Sequence, residues 1–269
     1  MRFAYSTINW GADCDVAEAA AQIRAAGWRA VELFGHSLDL LGTPSSLRRR
    51  LDGLEVATLF GHVRAPFHTR AQVELHRRQL EWAAEAGAAA YGLVGGTRLR
   101  QRAPSGEEYA DLAALLEEIS ADGDAMGVRV AYHPHTGCTV ETGEEIERVL
   151  GHAPRARLCL DVSHVAVVGE DPVAQLRRFR DRVAYVHLKD WADGHFVGLG
   201  DGILSRSWAA ILEELATWDG DRWIVVEQSR SDESPAAAAE ANAAFLRRLG
   251  HDVSATRAAV GQSAEETRA

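Results

Sequence analysis

Short apolar segments alternate with longer amphipathic segments along this chain. The apolar segments are rich in β-branched and aromatic residues and almost continuous in apolar character, as is typical of parallel strands buried on both faces. They predict eight strands, at Phe3–Ile8, Ala30–Phe34, Val56–Gly61, Ala90–Val94, Val128–His133, Arg157–Asp161, Val183–His187 and Trp223–Glu227. Apolar positions at helical spacing predict helices between them, the clearest being Val16–Ala26, Ala71–Ala86, Asp111–Met126, Ser207–Trp218 and Pro235–Leu249.

The residues that flank these segments carry helix-boundary signals. Thr142 and Glu145 have the spacing of a capping box, which predicts a helix start after the fifth strand. A glycine just past the last residue of a helix readily adopts the left-handed conformation that ends it. Four glycines predict helix ends in this way: Gly27, Gly87, Gly127 and Gly151. Regular alternation of strand and helix indicates a parallel sheet, and eight such units predict a single-domain (β/α)8 TIM barrel over residues 1–250. No glycine-rich dinucleotide fingerprint follows the first strand, which disfavours an open doubly wound sheet.

The last segment of the chain, residues 251–269, lacks the barrel pattern. It is mostly small and polar and shows no helical or strand periodicity. We therefore expect it to be a C-terminal tail that is disordered or loosely packed.

Composition narrows the classes of partner. The formal net charge of −10 argues against nucleic acid, because a phosphate backbone attracts basic surfaces. No apolar run approaches the roughly 20 residues of a membrane helix, and the N-terminus has no signal-peptide pattern. The three cysteines fit no zinc or redox motif, which predicts free thiols in a reducing compartment. We expect a cytoplasmic protein with neither a nucleic-acid nor a membrane partner.

Ionisable residues collect at the carboxyl ends of the predicted strands. They are His62, His133, His135, Asp161, His164, His187, Lys189 and Glu227. In a barrel these ends meet at one rim, where catalytic residues lie. Carboxylates that follow buried strands would repel each other unless a cation held them. Oxygen and imidazole donors without a thiolate favour Mn²⁺, with Co²⁺, Mg²⁺ or Zn²⁺ as alternatives. The sequence therefore predicts one divalent metal ion.

Lys189 is the only lysine in a chain whose other basic side chains are arginines. A compact ammonium cannot be replaced by a planar guanidinium where geometry matters, although the two do similar work on a surface. We therefore interpret Lys189 as a residue of the site.

Five segments carry a resemblance to a known family. HPHTGCTVET, LCLDVSH, YVHLKDW, GLGDG and WIVVEQ resemble segments of the xylose isomerase-like TIM-barrel superfamily of sugar phosphate isomerases and epimerases, and most closely its inosose dehydratase-like members. The resemblance implies a metal held by Glu, Asp, His and Glu from strands five to eight. The last three ligands correspond to Asp161, His187 and Glu227.

The fourth ligand cannot be assigned in the same direct way, because strand five ends in His133 where many relatives have Glu. The nearest carboxylate, Glu141, is our predicted fourth ligand, with His133 or His135 as alternatives. A purely structural role for Glu141, as a charge near a helix N-terminus, stays open.

The resemblance also implies a reaction. A ketose or keto-polyol would lose the proton next to its carbonyl and form an enediolate, as in a sugar isomerase or epimerase. Glu141 and Glu227 are the predicted acid and base, His135 or His164 would move protons to oxygen, and Lys189 would stabilise the developing oxyanion. The alternatives are an inosose dehydratase-type lyase and a non-catalytic sugar-binding barrel, while the acidic charge argues against an endonuclease IV-like enzyme.

The predicted substrate-binding residues are Trp10, Glu32, His62, His133 and Trp191. Aromatic rings at the rim pack against the C–H faces of sugars. Glu32 would bind a substrate hydroxyl or pair with an arginine at the rim. The partner is thus a small sugar or polyol, and the resemblance allows a homo-oligomer.

Overall fold

The protein, described here by a computed structural model over residues 1–99, 101–220 and 222–254, contains a closed barrel of eight parallel strands. The barrel strands are β1 (Arg2–Ser6), β2 (Ala30–Phe34), β3 (Glu55–Val63), β4 (Ala90–Gly95), β5 (Arg129–Tyr132), β6 (Arg157–Asp161), β7 (Val183–Leu188) and β10 (Trp223–Val226). The closed order is β1-β10-β7-β6-β5-β4-β3-β2. The predicted single-domain TIM barrel is confirmed.

A short antiparallel hairpin, which the sequence pattern did not predict, follows β7. Its strands are β8 (Asp190–Ala192) and β9 (His195–Val197). Asp193 and Gly194 form its turn with φ values of 49° and 86°, the left-handed conformation that two-residue hairpin turns favour. The hairpin lies directly after the seventh strand, so it belongs to the rim formed by the carboxyl ends of the strands.

Helices surround the barrel. They are α1 (Val16–Ala25), α2 (Leu38–Leu41), α3 (Pro44–Leu51), α4 (Arg70–Ala86), α5 (Gly106–Met126), α6 (Gly143–His152), α7 (Val162–Val167), α8 (Pro172–Phe179), α9 (Trp208–Ala216) and α10 (Pro235–Arg248). The capping box at Thr142 and Glu145 is confirmed, with both reciprocal hydrogen bonds formed. The predicted helix end at Gly151 is wrong. Helix α6 continues to His152 and stops before Pro154, which has no N–H to continue it.

The core has two layers. The barrel interior holds mostly small side chains around Phe60 and Tyr185, because eight strands leave little room inside. The larger aliphatic residues fill the layer between strands and helices. Gly92 shows how full the interior is, since a Cβ at this position would lie 2.3 Å from the Tyr185 hydroxyl. The packed interior lies below the strand ends, whose side chains therefore face the rim.

The first residues after the barrel pack against it. Val253 is buried, and the His251 ring lies 5.8 Å from the Phe3 ring. The rest of the predicted tail, residues 255–269, lies outside the described residues.

Candidate metal centre

Four side chains from four strand ends meet at the carboxyl rim of the barrel. Asp161 ends β6, His187 lies on β7, His133 follows β5 and Glu227 follows β10. One potential ligand atom from each lies within 4.8 Å of the others, and all four side chains are buried. Parallel strands bring these residues together because their carboxyl ends share one rim.

The free atoms of this cluster point to a common centre. Asp161 Oδ2, His187 Nδ1 and Glu227 Oε2 are buried and make no hydrogen bond of acceptable geometry among the described residues, although His187 Nδ1 and Glu227 Oε2 lie 2.7 Å apart. Asp161 Oδ1, by contrast, accepts from the backbone N–H of Ser163 at 2.7 Å and of His164 at 3.1 Å, which starts helix α7. Burial raises the pKa of Asp161 to about 6. Two carboxylates and two imidazoles with unused lone pairs fit a divalent cation.

Lys189 and Ser229 occupy the other oxygen of Glu227. The Lys189 ammonium donates a short hydrogen bond to Glu227 Oε1, and the Ser229 hydroxyl donates to the same oxygen at 3.0 Å. Lys189 is 1% exposed, and its ammonium lies 3.7 Å from the centroid of the Phe196 ring in the hairpin. Burial alone would raise the pKa of Glu227, but Lys189 and His187 hold that pKa well below its usual value. Glu227 is therefore an ionised carboxylate.

Two further histidines lie beside the cluster. The rings of His135 and His164 are 3.8 Å apart, and His133 lies within 5.5 Å of both. Burial holds the pKa of His164 well below its usual value and also lowers that of His135. Both are therefore neutral near pH 7.

Hydrogen bonds assign the protons of this pair. The Thr136 backbone N–H and hydroxyl lie 3.4 Å and 3.0 Å from His164 Nδ1, and because the N–H can only donate, this geometry favours a proton on Nε2 of His164. His135 Nδ1 bonds the Thr136 carbonyl at 2.7 Å, so the proton of His135 is on Nδ1 and its Nε2 is a free acceptor.

The structure does not bring Glu141, the predicted fourth ligand, into the cluster. Its carboxylate pairs with Arg98 Nε at 2.8 Å and accepts from the Gly137 backbone N–H at 2.5 Å. Arg98 compensates its charge outside the centre, and the fourth position is taken by His133, one of the predicted alternatives.

A cavity of about 730 Å³ opens above the centre. Among the predicted substrate-binding residues, His62 lines it, and so do His135 and Glu227. Trp10 instead donates from its indole to Gln22, and Trp191 packs edge-on against Phe196. Neither tryptophan lines the cavity, because the Trp10 indole is bonded to helix α1 and the Trp191 ring packs within the hairpin.

Glu32 and His133 were also predicted to bind substrate, but both are buried below the cavity. Glu32 hydrogen-bonds His187, and His133 is part of the metal cluster. Residues of the cavity that the sequence pattern did not single out include Arg64, Thr139 and Ser229. They lie on rim loops, which have no periodicity to identify an inward-facing position.

Fold and site together define a TIM-barrel protein with a cluster of candidate metal ligands at its carboxyl rim. The chain belongs to the xylose isomerase-like TIM barrel family, whose model matches residues 20–249. It is 31% identical over 233 residues to an inosose dehydratase of Geobacillus kaustophilus (strain HTA426). The matched region covers 72% of this chain and 74% of that protein. Several other matches span about half the length of the relative.

Solved structures share the fold. An L-ribulose 3-epimerase superposes with a TM-score of 0.78 at 19% identity, covering 95% of this chain and 99% of that one. The IolI protein with a bound zinc atom superposes with a TM-score of 0.75 at 16% identity, covering 94% and 98%. No helix in residues 1–99, 101–220 or 222–254 is both long and apolar enough to cross a membrane.

Proposed function

We propose that this protein is a divalent-metal-dependent dehydratase that removes water from an inosose-like cyclic keto-polyol. The proposal rests on the buried cluster of His133, Asp161, His187 and Glu227 beside a cavity that polar and apolar side chains line together. The 31% identity to an inosose dehydratase over most of the chain supports the substrate class.

The four cluster residues would hold the ion, which when bound would polarise the substrate carbonyl and acidify the neighbouring C–H. Glu227 lines the cavity as an ionised carboxylate and is the proposed acceptor of that proton. His135 also lines the cavity, and its Nε2 is the second candidate acceptor. Lys189, held beside Glu227, would stabilise negative charge that develops on the substrate oxygen.

The second step requires protonation of the departing β-hydroxyl. The proton that Glu227 has accepted would pass to this hydroxyl as it leaves, and His164, whose Nε2 faces the cluster, would donate a hydrogen bond to the departing oxygen. The overall balance is loss of a proton from the carbon next to the carbonyl and loss of hydroxide from the adjacent carbon. The product is water and a carbonyl conjugated to the new double bond.

The site favours elimination over the isomerase or epimerase chemistry first predicted. Epimerisation through two bases needs a proton acceptor and a proton donor on opposite faces of one carbon. A carboxylate from strand five would supply the second group, but this chain places His133 there, within the metal cluster. Besides Lys189 and Ser229, which bond Glu227 Oε1, the neighbouring groups include the neutral imidazoles of His135 and His164, which suit hydrogen bonding to a leaving oxygen.

The test is a product assay on the purified protein loaded separately with Mn²⁺, Co²⁺ or Zn²⁺. Inososes and ketohexoses are supplied in D2O, and products are analysed by mass spectrometry and ultraviolet absorption. We expect loss of one water from an inosose. Formation of an isomer or epimer of the substrate that carries solvent deuterium, without loss of water, would refute the dehydratase and support an isomerase or epimerase.

Two variants separate the candidate bases. Glu227→Gln and His135→Gln each remove one proton acceptor, and solvent exchange of the substrate C–H reports the first step alone. We expect exchange to stop in Glu227→Gln when bound metal is confirmed, and to persist in His135→Gln. The reverse pattern would transfer the role to His135.

A further inference from the structure

A carboxylate lies below the metal centre, where neither solvent nor the cavity reaches it. Glu32 on β2 is 0% exposed and does not line the cavity. An ionised carboxylate costs several kcal/mol to bury unless it is paired and hydrogen-bonded. Its recorded ion-pair partner in the described chain is His187, whose Nε2 lies 2.9 Å from Glu32 Oε2. The burial of Glu32 therefore depends on a histidine of the metal cluster.

The local backbone explains how Glu32 reaches this position. Glu32 pairs with Thr58 across β2 and β3, and the strand register shifts between Val31 and Glu32. Such irregularities redirect side chains near active sites. The Thr58 hydroxyl donates to Glu32 Oε2 at 2.8 Å, so the same oxygen is held by Thr58 and His187. This second bond fixes the orientation of the carboxylate.

The pairing determines which nitrogen of His187 carries a proton. An ionised carboxylate oxygen can only accept, so His187 Nε2 must be the N–H. When the ring binds a metal ion through Nδ1, its one remaining proton is therefore the one on Nε2. That atom lies 2.7 Å from Glu227 Oε2 and is one of the unpartnered atoms of the cluster. The hydrogen bond below the centre thus prepares His187 as a ligand.

We infer that Glu32, oriented by Thr58, is a positioning residue that holds His187 in its Nε2–H form and directs Nδ1 towards the metal. It contacts neither substrate nor metal. A carboxylate behind a ligating histidine raises the basicity of the ligand and restricts its ring, and loss of such a partner weakens metal binding about 10- to 100-fold. The inference rests on the proposed metal centre.

The first test uses the unmodified protein. The full chain is labelled with ¹⁵N-histidine and loaded with diamagnetic Zn²⁺, and two-bond ¹H–¹⁵N correlation spectra identify the protonated nitrogen of each ring. We expect His187, assigned with His187→Gln, to be protonated on Nε2. A proton on Nδ1 would overturn the inference.

The second test measures Zn²⁺ and Mn²⁺ affinity by competition with a chromophoric chelator. Glu32→Gln keeps an oxygen acceptor but loses the charge, and we expect its Kd to rise about 10- to 100-fold. Thr58→Val leaves the charge in place and should raise Kd by less. Ser120→Ala is the control for a buried polar substitution, because the buried Ser120 hydroxyl lies on helix α5 and has no hydrogen-bond partner among the described residues. Unchanged affinity in Glu32→Gln would overturn the inference.

These outcomes separate this inference from the proposed function. A wild-type protein that binds no divalent ion would refute both. A wild-type protein that binds the ion, with Glu32→Gln binding equally well, would refute the role of Glu32 alone. The spectrum of the wild type decides the question even if Glu32→Gln does not fold.

Discussion

Substitution of Asp190 should show how far the structure of the rim loop after β7 depends on one buried carboxylate. Its carboxylate is fully buried at the start of the β8–β9 hairpin, next to Lys189. It accepts five N–H hydrogen bonds at 2.9–3.1 Å, from the backbones of Trp191, Gly200, Gly202 and Leu204 and from the Trp208 indole. The rim segment from 198 to 208 is therefore organised around one charge.

Asp190→Asn tests this arrangement with little change in size. The amide oxygen can replace only one carboxylate oxygen, and the better orientation faces its NH2 towards the Trp191 and Leu204 donors. Two buried N–H groups then lose their acceptor, at about 1–3 kcal/mol each. We expect the free energy of unfolding to fall by about 4 kcal/mol. The melting temperature should fall by roughly 10 °C.

The assay is urea and thermal unfolding followed by circular dichroism, with turnover measured in parallel. Asp201→Asn is the matched control, because Asp201 lies exposed in the same segment with no side-chain hydrogen bond or ion pair recorded in the described chain. We expect turnover to fall in Asp190→Asn, since Lys189 is its neighbour. A difference from Asp201→Asn below about 0.5 kcal/mol would refute the reasoning, because that is the ordinary range of surface substitutions.

Three further results are expected. Lys189→Arg should lower turnover about 100-fold, because a guanidinium displaces the charge by about an ångström from Glu227, and unchanged turnover with bound metal would refute a chemical role. Glu141→Gln should retain its metal in elemental analysis, because that carboxylate faces Arg98, and loss of metal would restore it as a ligand. Burial lowers the pKa of His76 to about 4. Between about pH 6.5 and pH 4, His76 is therefore protonated in the unfolded chain and neutral in the folded protein. The free energy of unfolding should therefore be unaffected by His76 above pH 6.5 and should fall by about 1.4 kcal/mol per pH unit as the pH drops towards 4. Urea unfolding of the wild type and of His76→Gln over this pH range measures the effect. We expect the stability of the variant to depend less on acid pH.

The barrel and three of the four cluster residues could be predicted from the sequence. Asp161, His187 and Glu227 each end a continuous apolar segment, and the closed parallel sheet brings such ends to one rim. The apolar segment that predicts a buried strand and the polar residue that predicts its end are both visible in a short stretch of sequence. The remaining step, from eight strand ends to one rim, follows from the topology.

The direction in which a side chain points was not predictable in the same way. Glu141 and His133 lie eight positions apart along one loop, and sequence favoured the carboxylate as a ligand. The structure pairs Glu141 with Arg98, a residue 43 positions earlier. A contact between two loops over that separation leaves no periodic signal in either of them.

The sequence by itself determined where strands and helices lie and which ionisable residues end the strands, because these depend on local patterns of burial. Only the tertiary structure decided that His133 joins the metal cluster and that Glu32 lies behind His187 rather than beside a substrate. The physical reason is that a β2 register shift and the closure of the barrel bring β2 and β7 side chains together across the interior. Those two strands are not neighbours in the sheet, so no pattern along either one records their contact.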